Sequence, residues 1–376
     1  MSILIGADFV PTSENLRYFC SGDTDKIVGE KLQKELSSVD FRIFNLEIPL
    51  TDKKEEIKKC GPNLIAPTKA VKAYSSLSTD LLTLANNHIL DQSYHGLDET
   101  CSTLEGEHIS YVGVGANREA AAKPYCFTIK GIKYGVYACA EHEFSLATEK
   151  TAGANPFDPI ESFDHIADLK KECDYVIVLY HGGKEHYQYP SPLLQKICRK
   201  MIKKGANLVV CQHSHCIGCL EHYLEGEIIY GQGNFLFGRN EIKTWNTSLL
   251  VRIDDSLNIN YIPLAISSDG VSVDVADTDV GSEILNGFFK RSELIGNQDF
   301  VEKNYTEFAD AMIDFYFKAF SGRESILFKI VNRVLNNKLR TCRYRSRYDE
   351  HARIVLENFI ECEAHRELIV QGLKKR

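Results

Sequence analysis

At 376 residues with a net charge of −8, the chain is long enough for one large domain and a smaller one. The acidic balance excludes nucleic acid as the main partner, and 44% hydrophobic with 26% charged residues is an ordinary globular composition. No apolar run approaches the roughly 20 residues that span a bilayer, so no transmembrane segment is expected.

The opening Met1-Ser2-Ile3-Leu4-Ile5-Gly6-Ala7-Asp8 has neither the basic start nor the long apolar core of a signal peptide, and reads as a first strand. Twelve cysteines in a chain this long, without a short secreted framework, fit a reducing, cytoplasmic setting.

In chain order, apolar runs at 3–5, 41–46, 81–84, 111–114, 133–139, 175–179 and 208–211 predict strands. Helical periodicity at 25–37, 68–77, 96–104, 162–170 and 192–204 lies between them. Such alternation implies an α/β sheet with crossover helices. Three further runs, 228–230, 249–253 and 259–263, have short connections and predict antiparallel strands. The character changes near residue 281, so the expected division is 1–280 and 281–376. The second part is helical, over 283–291, 304–319, 326–338 and 350–374, and its apolar stripe reads as core. The basic stretch at 338–347 reads as a solvated loop or helix face, with contact to an anionic polymer or lipid as the functional alternative.

Five clusters of metal-binding residue types stand at predicted strand ends, where α/β sheets place ligands. They are Asp8; Asn45-Leu46-Glu47; Asn86-Asn87-His88 with Asp91; His181-Gly182-Gly183; and Gln212-His213-Ser214-His215. A His-x-His pair just past a strand can present both imidazoles to one ion. Two divalent ions need carboxylates to balance charge and neutral nitrogen or amide oxygen to fill each shell. Asp8, Glu47, Asn87, His181, His213 and His215 supply that inventory, and His88 remains as an acid. Singly, each has a duller reading: a strand-end Asp or Asn is usually a cap or turn former, and a lone His usually structural. Cys216-Ile217-Gly218-Cys219 beside the histidines suggests a zinc knot, but structural zinc ligand pairs are normally a dozen or more residues apart.

Several segments then carry a resemblance: Asn45-Leu-Glu-Ile-Pro-Leu50, Leu84-Ala-Asn-Asn-His88 with Asp91, Gly113-Val-Gly-Ala-Asn117, His213-Ser-His215, and Tyr230-Gly-Gln-Gly-Asn-Phe235. Over roughly residues 3–265 the chain resembles the CapA-type proteins of poly-γ-glutamate capsule synthesis, which are similar to calcineurin-like metallophosphoesterases. The resemblance implies a four-layer α/β/β/α sandwich, followed here by a C-terminal helical extension. It also implies two divalent ions (Mn, Fe or Zn). Asp8 would bind one, Glu47 would bridge both, and Asn87, His181 and His213 would bind the second. His215 would close the first site, and His88 would protonate the leaving group.

Three departures stand out. Val10 replaces the histidine of the wider superfamily's Asp-x-His, Gln212 stands where a Gly or His usually precedes the histidine pair, and Gln232 stands where the family often has Leu in its Tyr-Ser-Leu-Gly-Asn-Phe segment. The missing histidine leaves the first site short of a ligand, with Glu141, Glu143 and Glu185 as acidic candidates to compensate. The expected function is a metal-dependent phosphoesterase-like hydrolase in capsule or exopolymer synthesis, acting on a phosphorylated or anionic polymer-related substrate, with capsule-synthesis machinery as partner. An activated water would also serve an amide or γ-glutamyl bond. The alternative is a non-catalytic accessory for polymer assembly or export that keeps the fold and a partial metal site.

Overall fold

The computed structural model describes residues 2–322, 326–335 and 338–374. It divides into two compact units, one running to Val301 and the other from Glu302 onward.

The first unit is built on two sheets. The seven-stranded sheet runs in the order Val273–Val275, Ile259–Ile266, Thr247–Ile253, Ile3–Asp8, Phe41–Asn45, Leu81–Thr83 and Ser110–Val112. Its last four strands are mutually parallel and its first three antiparallel. The six-stranded sheet runs Leu220–Tyr223, Gly226–Ile229, Leu208–Gln212, Tyr175–His181, Ile132–Ala140 and Tyr125–Ile129. Its four central strands are parallel. The run at 228–230 therefore differs from expectation: Gly226–Ile229 belongs to the second sheet, parallel to Leu208–Gln212 and antiparallel only to Leu220–Tyr223.

Alternation along each strand assigns its residues to layers, because successive side chains point to opposite faces. Ile3, Ile5, Ile43, Val136, Ile177, Leu179, Leu208 and Val210 fill one core between the sheets. Leu4, Phe44, Leu82 and Leu250 face the opposite way, into a second core with Leu32, Tyr74 and Leu97 of the covering helices. Val176, Val178, Val209 and Cys211 face helices Ser162–Glu172 and Pro192–Lys203 in a third. The result is the four-layer α/β/β/α sandwich. Helix Thr278–Leu294 belongs to this unit: it packs on strands of both sheets, and its Phe288 joins the core between them.

The second unit, from Glu302, contains the rest of helix Gln298–Phe320 and helices Ile326–Val334, Lys338–Arg347, Glu350–Glu361 and Glu363–Leu373. Phe317 stacks on Tyr348 at 4.3 Å and carries Arg353 over its ring. No helix among the described residues is long and apolar enough to cross a membrane. The eleven described cysteines are free.

An aromatic cluster braces the strand that carries Asp8. The fully buried Phe9 ring lies 4.9 Å from Phe19, Tyr74 and Phe235, and Tyr74 Oη donates to the Phe9 carbonyl at 2.7 Å. Gly6 on the same strand has no room for a side chain, since a Cβ would stand 2.5 Å from the Phe44 ring. Truncating Phe9 removes the centre of this cluster and leaves a cavity. We expect Phe9→Ala to lower unfolding free energy by about 3–5 kcal/mol in urea melts of the full chain.

Candidate metal centre

Parallel strands align their C-terminal ends, and register fixes which residues meet there. Asp8 pairs with Asn45 and Asn45 with Thr83 in one sheet; Ala140 and Gln212 both pair with His181 in the other. A register shift between Ile5 and Asp8 delivers Asp8 to that edge. The histidine pair leaves its strand by a tight curl, with His213 at φ 83° and His215 at φ 52°. Left-handed backbone at two non-glycine residues is strained, and such strain concentrates at functional sites.

The six candidate ligands converge and are all buried, with Asn87 the most open at 8% exposure. His181 Nε2 lies 3.0 Å from Asn87 Oδ1, 3.2 Å from Glu47 Oε1 and 3.2 Å from His213 Nδ1. Ligand bonds of about 2.0–2.1 Å place neighbouring donors roughly 3.0–3.4 Å apart in octahedral or tetrahedral shells. The spacings around His181 match the edges of such a shell. A second group joins it, with Glu47, His213 and His215 donor atoms all within 4.8 Å of one another. His215 Nδ1 is 3.4 Å from Asp8 Oδ2 and 2.8 Å from Asn234 Oδ1.

Neither oxygen of Glu47 accepts a hydrogen bond, the His181 approach being close but not aligned as one, and Asp8 Oδ2 is likewise without a partner. Buried carboxylate oxygens are normally satisfied, so orphaned ones need a cause. A cation held between them is one. Oxygen and imidazole donors in this mixture suit Mn, Fe or Zn, so the residues fit a divalent metal.

Electrostatics polarise the cluster. Burial raises Asp8, but the close approach of His215, the charge of His181 and the Asn45 hydrogen bond outweigh it and hold the carboxyl at about 2. Burial and the neighbouring Asp8 push Glu47 well above the carboxylate range. Burial lowers His181 to about 4 and pulls His213 well down, leaving both neutral with lone pairs available. Burial also works against charging His215, yet Glu47 and Asp8 lift it to about 9.

Around this core stand residues the sequence marked less clearly. Asn45 Nδ2 donates to Asp8 Oδ1 at 2.7 Å and so turns Oδ2 inward. Asn87 Nδ2 donates to Glu143 Oε2 at 2.9 Å, which turns the amide oxygen toward His181. Glu143 therefore orients Asn87. Glu141 Oε1 stands 3.8 Å from His213 Nε2, with burial raising its carboxyl to about 7. In Glu185 burial is outweighed by the charges of His213 and His215, which lower it. Trp245, the only tryptophan, lies with its ring 4.4 Å from that of His215. Asn234 was legible only as part of the Gly-Gln-Gly-Asn-Phe segment. The Cys216 and Cys219 thiols are buried and pushed up by burial to about 11 and about 12, far from thiolate ligands.

His88 belongs to a separate triad. Its Nδ1 is 2.6 Å from Asp91 Oδ2, which also accepts from Leu64 N at 2.6 Å. Lys59 reaches in from the 51–66 loop, ion-pairs with Asp91 Oδ1 and lies 3.1 Å from His88 Nδ1. Nothing in the sequence separates Lys59 from Lys53, Lys54 and Lys58 nearby, yet its side chain is 2% exposed. Removing one partner of a buried pair leaves an uncompensated charge. Lys59→Met is therefore expected to cost about 3 kcal/mol in urea unfolding. The same change at Lys54, whose pair with Glu56 is solvent-exposed, should cost under ~1 kcal/mol.

Comparison with known proteins matches these features to a family. The model of the Bacterial capsule synthesis protein PGA_cap family matches residues 8–239, the span that carries every candidate ligand. The chain belongs to that family. It is 27% identical over 243 residues to the capsule biosynthesis protein CapA of Bacillus anthracis, covering 61% of this chain and 59% of that one. Against the PGA biosynthesis protein CapA of Bacillus subtilis it is 26% identical, covering 56% and 57%. It thus spans less than two-thirds of the length of these relatives. Among solved structures, a phosphatase of Mycoplasma pneumoniae aligns over 70% of this chain and 92% of its own at 13% identity, with a TM-score of 0.42.

Proposed function

We propose that this chain is a metal-dependent, phosphoesterase-like hydrolase acting in the synthesis of capsule or a related anionic exopolymer. The observation that carries this reading is the shell of donors around His181 Nε2, beside carboxylate oxygens with no other partner. Asn87, His181 and His213 would hold one ion, Asp8 and His215 the other, and Glu47 would face both. Bound there, divalent ions would supply a nucleophilic water near neutral pH and neutralise charge developing on the substrate oxygens.

The chain's own groups do the remaining work. Asn45 and Glu143 orient Asp8 and Asn87 through the amide hydrogen bonds described above. With Nδ1 of His88 engaged by Asp91, Nε2 is the nitrogen that can hand a proton to a leaving group. Asp91 is itself fixed by the Leu64 amide and by Lys59, so the imidazole is held in one orientation.

The second reading is a non-catalytic accessory of polymer assembly, and one feature favours it. Val10 stands where the wider superfamily places a histidine, so Asp8 Oδ2 has His215, at 3.4 Å, in place of a second imidazole from its own strand. Elemental analysis and a phosphate-ester screen separate the readings. The hydrolase should take up about two equivalents of Mn²⁺ and lose at least one on His213→Ala, which removes a ligand. His88→Ala should keep its metal while turnover falls roughly 10²–10⁴-fold. Two bound ions with no metal-dependent turnover on any ester would leave the accessory reading in its place.

Metal uptake should also displace protons. His215, lifted to about 9, carries a proton at pH 7 in the free chain and must lose it to bind a cation, and the raised Glu47 must likewise be ionised. Affinity should therefore rise with pH from about 6 to about 9. Calorimetry in buffers of different ionisation enthalpy should find roughly one proton or more released per chain at pH 7, from His215 at least; no release would contradict this protonation scheme.

A further inference from the structure

The second unit carries a surface that the capsule-synthesis reading does not use. Residues 326–347 contain seven basic residues, Lys329, Arg333, Lys338, Arg340, Arg343, Arg345 and Arg347, and no Asp or Glu, within a chain of net charge −8. The same stretch forms helices Ile326–Val334 and Lys338–Arg347.

On the first of these helices four apolar side chains face outward. Ile326, Ile330 and Val334, spaced four apart on one stripe, are 78%, 57% and 76% exposed. Val331 beside them is also exposed, whereas the polar Asn332 is buried. This inverts the usual pattern for a helix packed on its own core, where the apolar face turns in. Lys329 and Arg333, also four apart, form an exposed basic stripe adjoining the apolar one. Arg343 of the following helix is exposed as well, with its guanidinium over the Phe328 ring at 4.9 Å.

An outward apolar stripe flanked by cations, on a short helix, is the arrangement that lies in the plane of a lipid surface. The apolar side chains enter the acyl boundary while Lys and Arg meet anionic headgroups. A soluble polyanion would explain the cations but not the exposed isoleucines and valine. A second copy of the chain would cover the apolar stripe but would set like charges against each other.

We propose that helix Ile326–Val334, with the basic helix that follows it, is a peripheral docking surface for an anionic membrane. Contact is electrostatic and shallow, so it is reversible and weakens as salt screens the cations. It would hold the chain at a bilayer surface.

The test is flotation of the full chain with phosphatidylcholine vesicles, with and without about one-third phosphatidylglycerol. Binding is expected only to the anionic vesicles and should fall at least tenfold in 0.5 M salt. Lys329→Glu/Arg333→Glu and, separately, Ile330→Asp/Val334→Asp should each weaken it roughly tenfold or more, with helical content by circular dichroism and Mn²⁺ uptake unchanged. Equal binding to neutral vesicles, or no binding, would overturn the proposal. So would binding that ignores Ile330→Asp/Val334→Asp but is abolished by soluble polyglutamate, which would assign the surface to a polyanion. A concentration-dependent dimer lost in the apolar variant, without vesicle binding, would assign it to a second copy.

Discussion

Asp8, Glu47, Asn87, His181, His213 and His215 meet in a buried space with more lone pairs than protons to share among them. Glu47 receives no hydrogen bond on either oxygen, and three donor atoms crowd His181 Nε2 within 3.2 Å. Such an arrangement costs folding free energy, because buried charge and unpaired acceptors are both unfavourable. The protein tolerates it by shifting proton affinities: burial and charged neighbours favour the protons of Glu47 and His215 and disfavour those of Asp8, His181 and His213. A divalent cation would replace those protons with one compact charge. The rest of the first unit can be understood as the scaffold that keeps these groups together despite their cost.

That scaffold works by register. Two sheets, each with four adjacent parallel strands, present their C-terminal edges to the same space, and every candidate ligand sits on a strand end or just past one. The outer cores hold the edges steady. Phe9 and its aromatic neighbours brace the Asp8 strand, and the Asp91 carboxylate ties the loop bearing Lys59 to the turn bearing His88. The left-handed curl at His213 and His215 is the local strain that this scaffold sustains.

Much of this was legible in the sequence, for physical reasons. The central strands are short β-branched runs buried on both faces, and a polar residue closing such a run must lie at its end. That pattern exposed Asp8, Asn45–Glu47, Asn86–His88, His181 and the histidine pair together. Helix Thr278–Leu294 looked like the start of a separate helical region because its periodicity says nothing about which sheets it covers. The run at 228–230 reads as part of an antiparallel set because short connections hide a change of sheet. Lys59 is invisible in the sequence, since an ordinary loop lysine carries no pattern, and Glu143 is marked there only as an acidic candidate for the first site, not as the partner of Asn87. Their roles come from long-range packing, with Lys59 buried on Asp91 and Glu143 turned onto the Asn87 amide.

The central claim is that the donors around His181 form a coordination shell. Anomalous X-ray scattering from crystals grown with Mn²⁺ tests it most directly. The account predicts a peak about 2.0–2.4 Å from His181 Nε2, Asn87 Oδ1, His213 Nδ1 and a Glu47 oxygen, with a second peak near Asp8 and His215. No peak among these residues at saturating metal, or a peak only elsewhere on the chain, would contradict it.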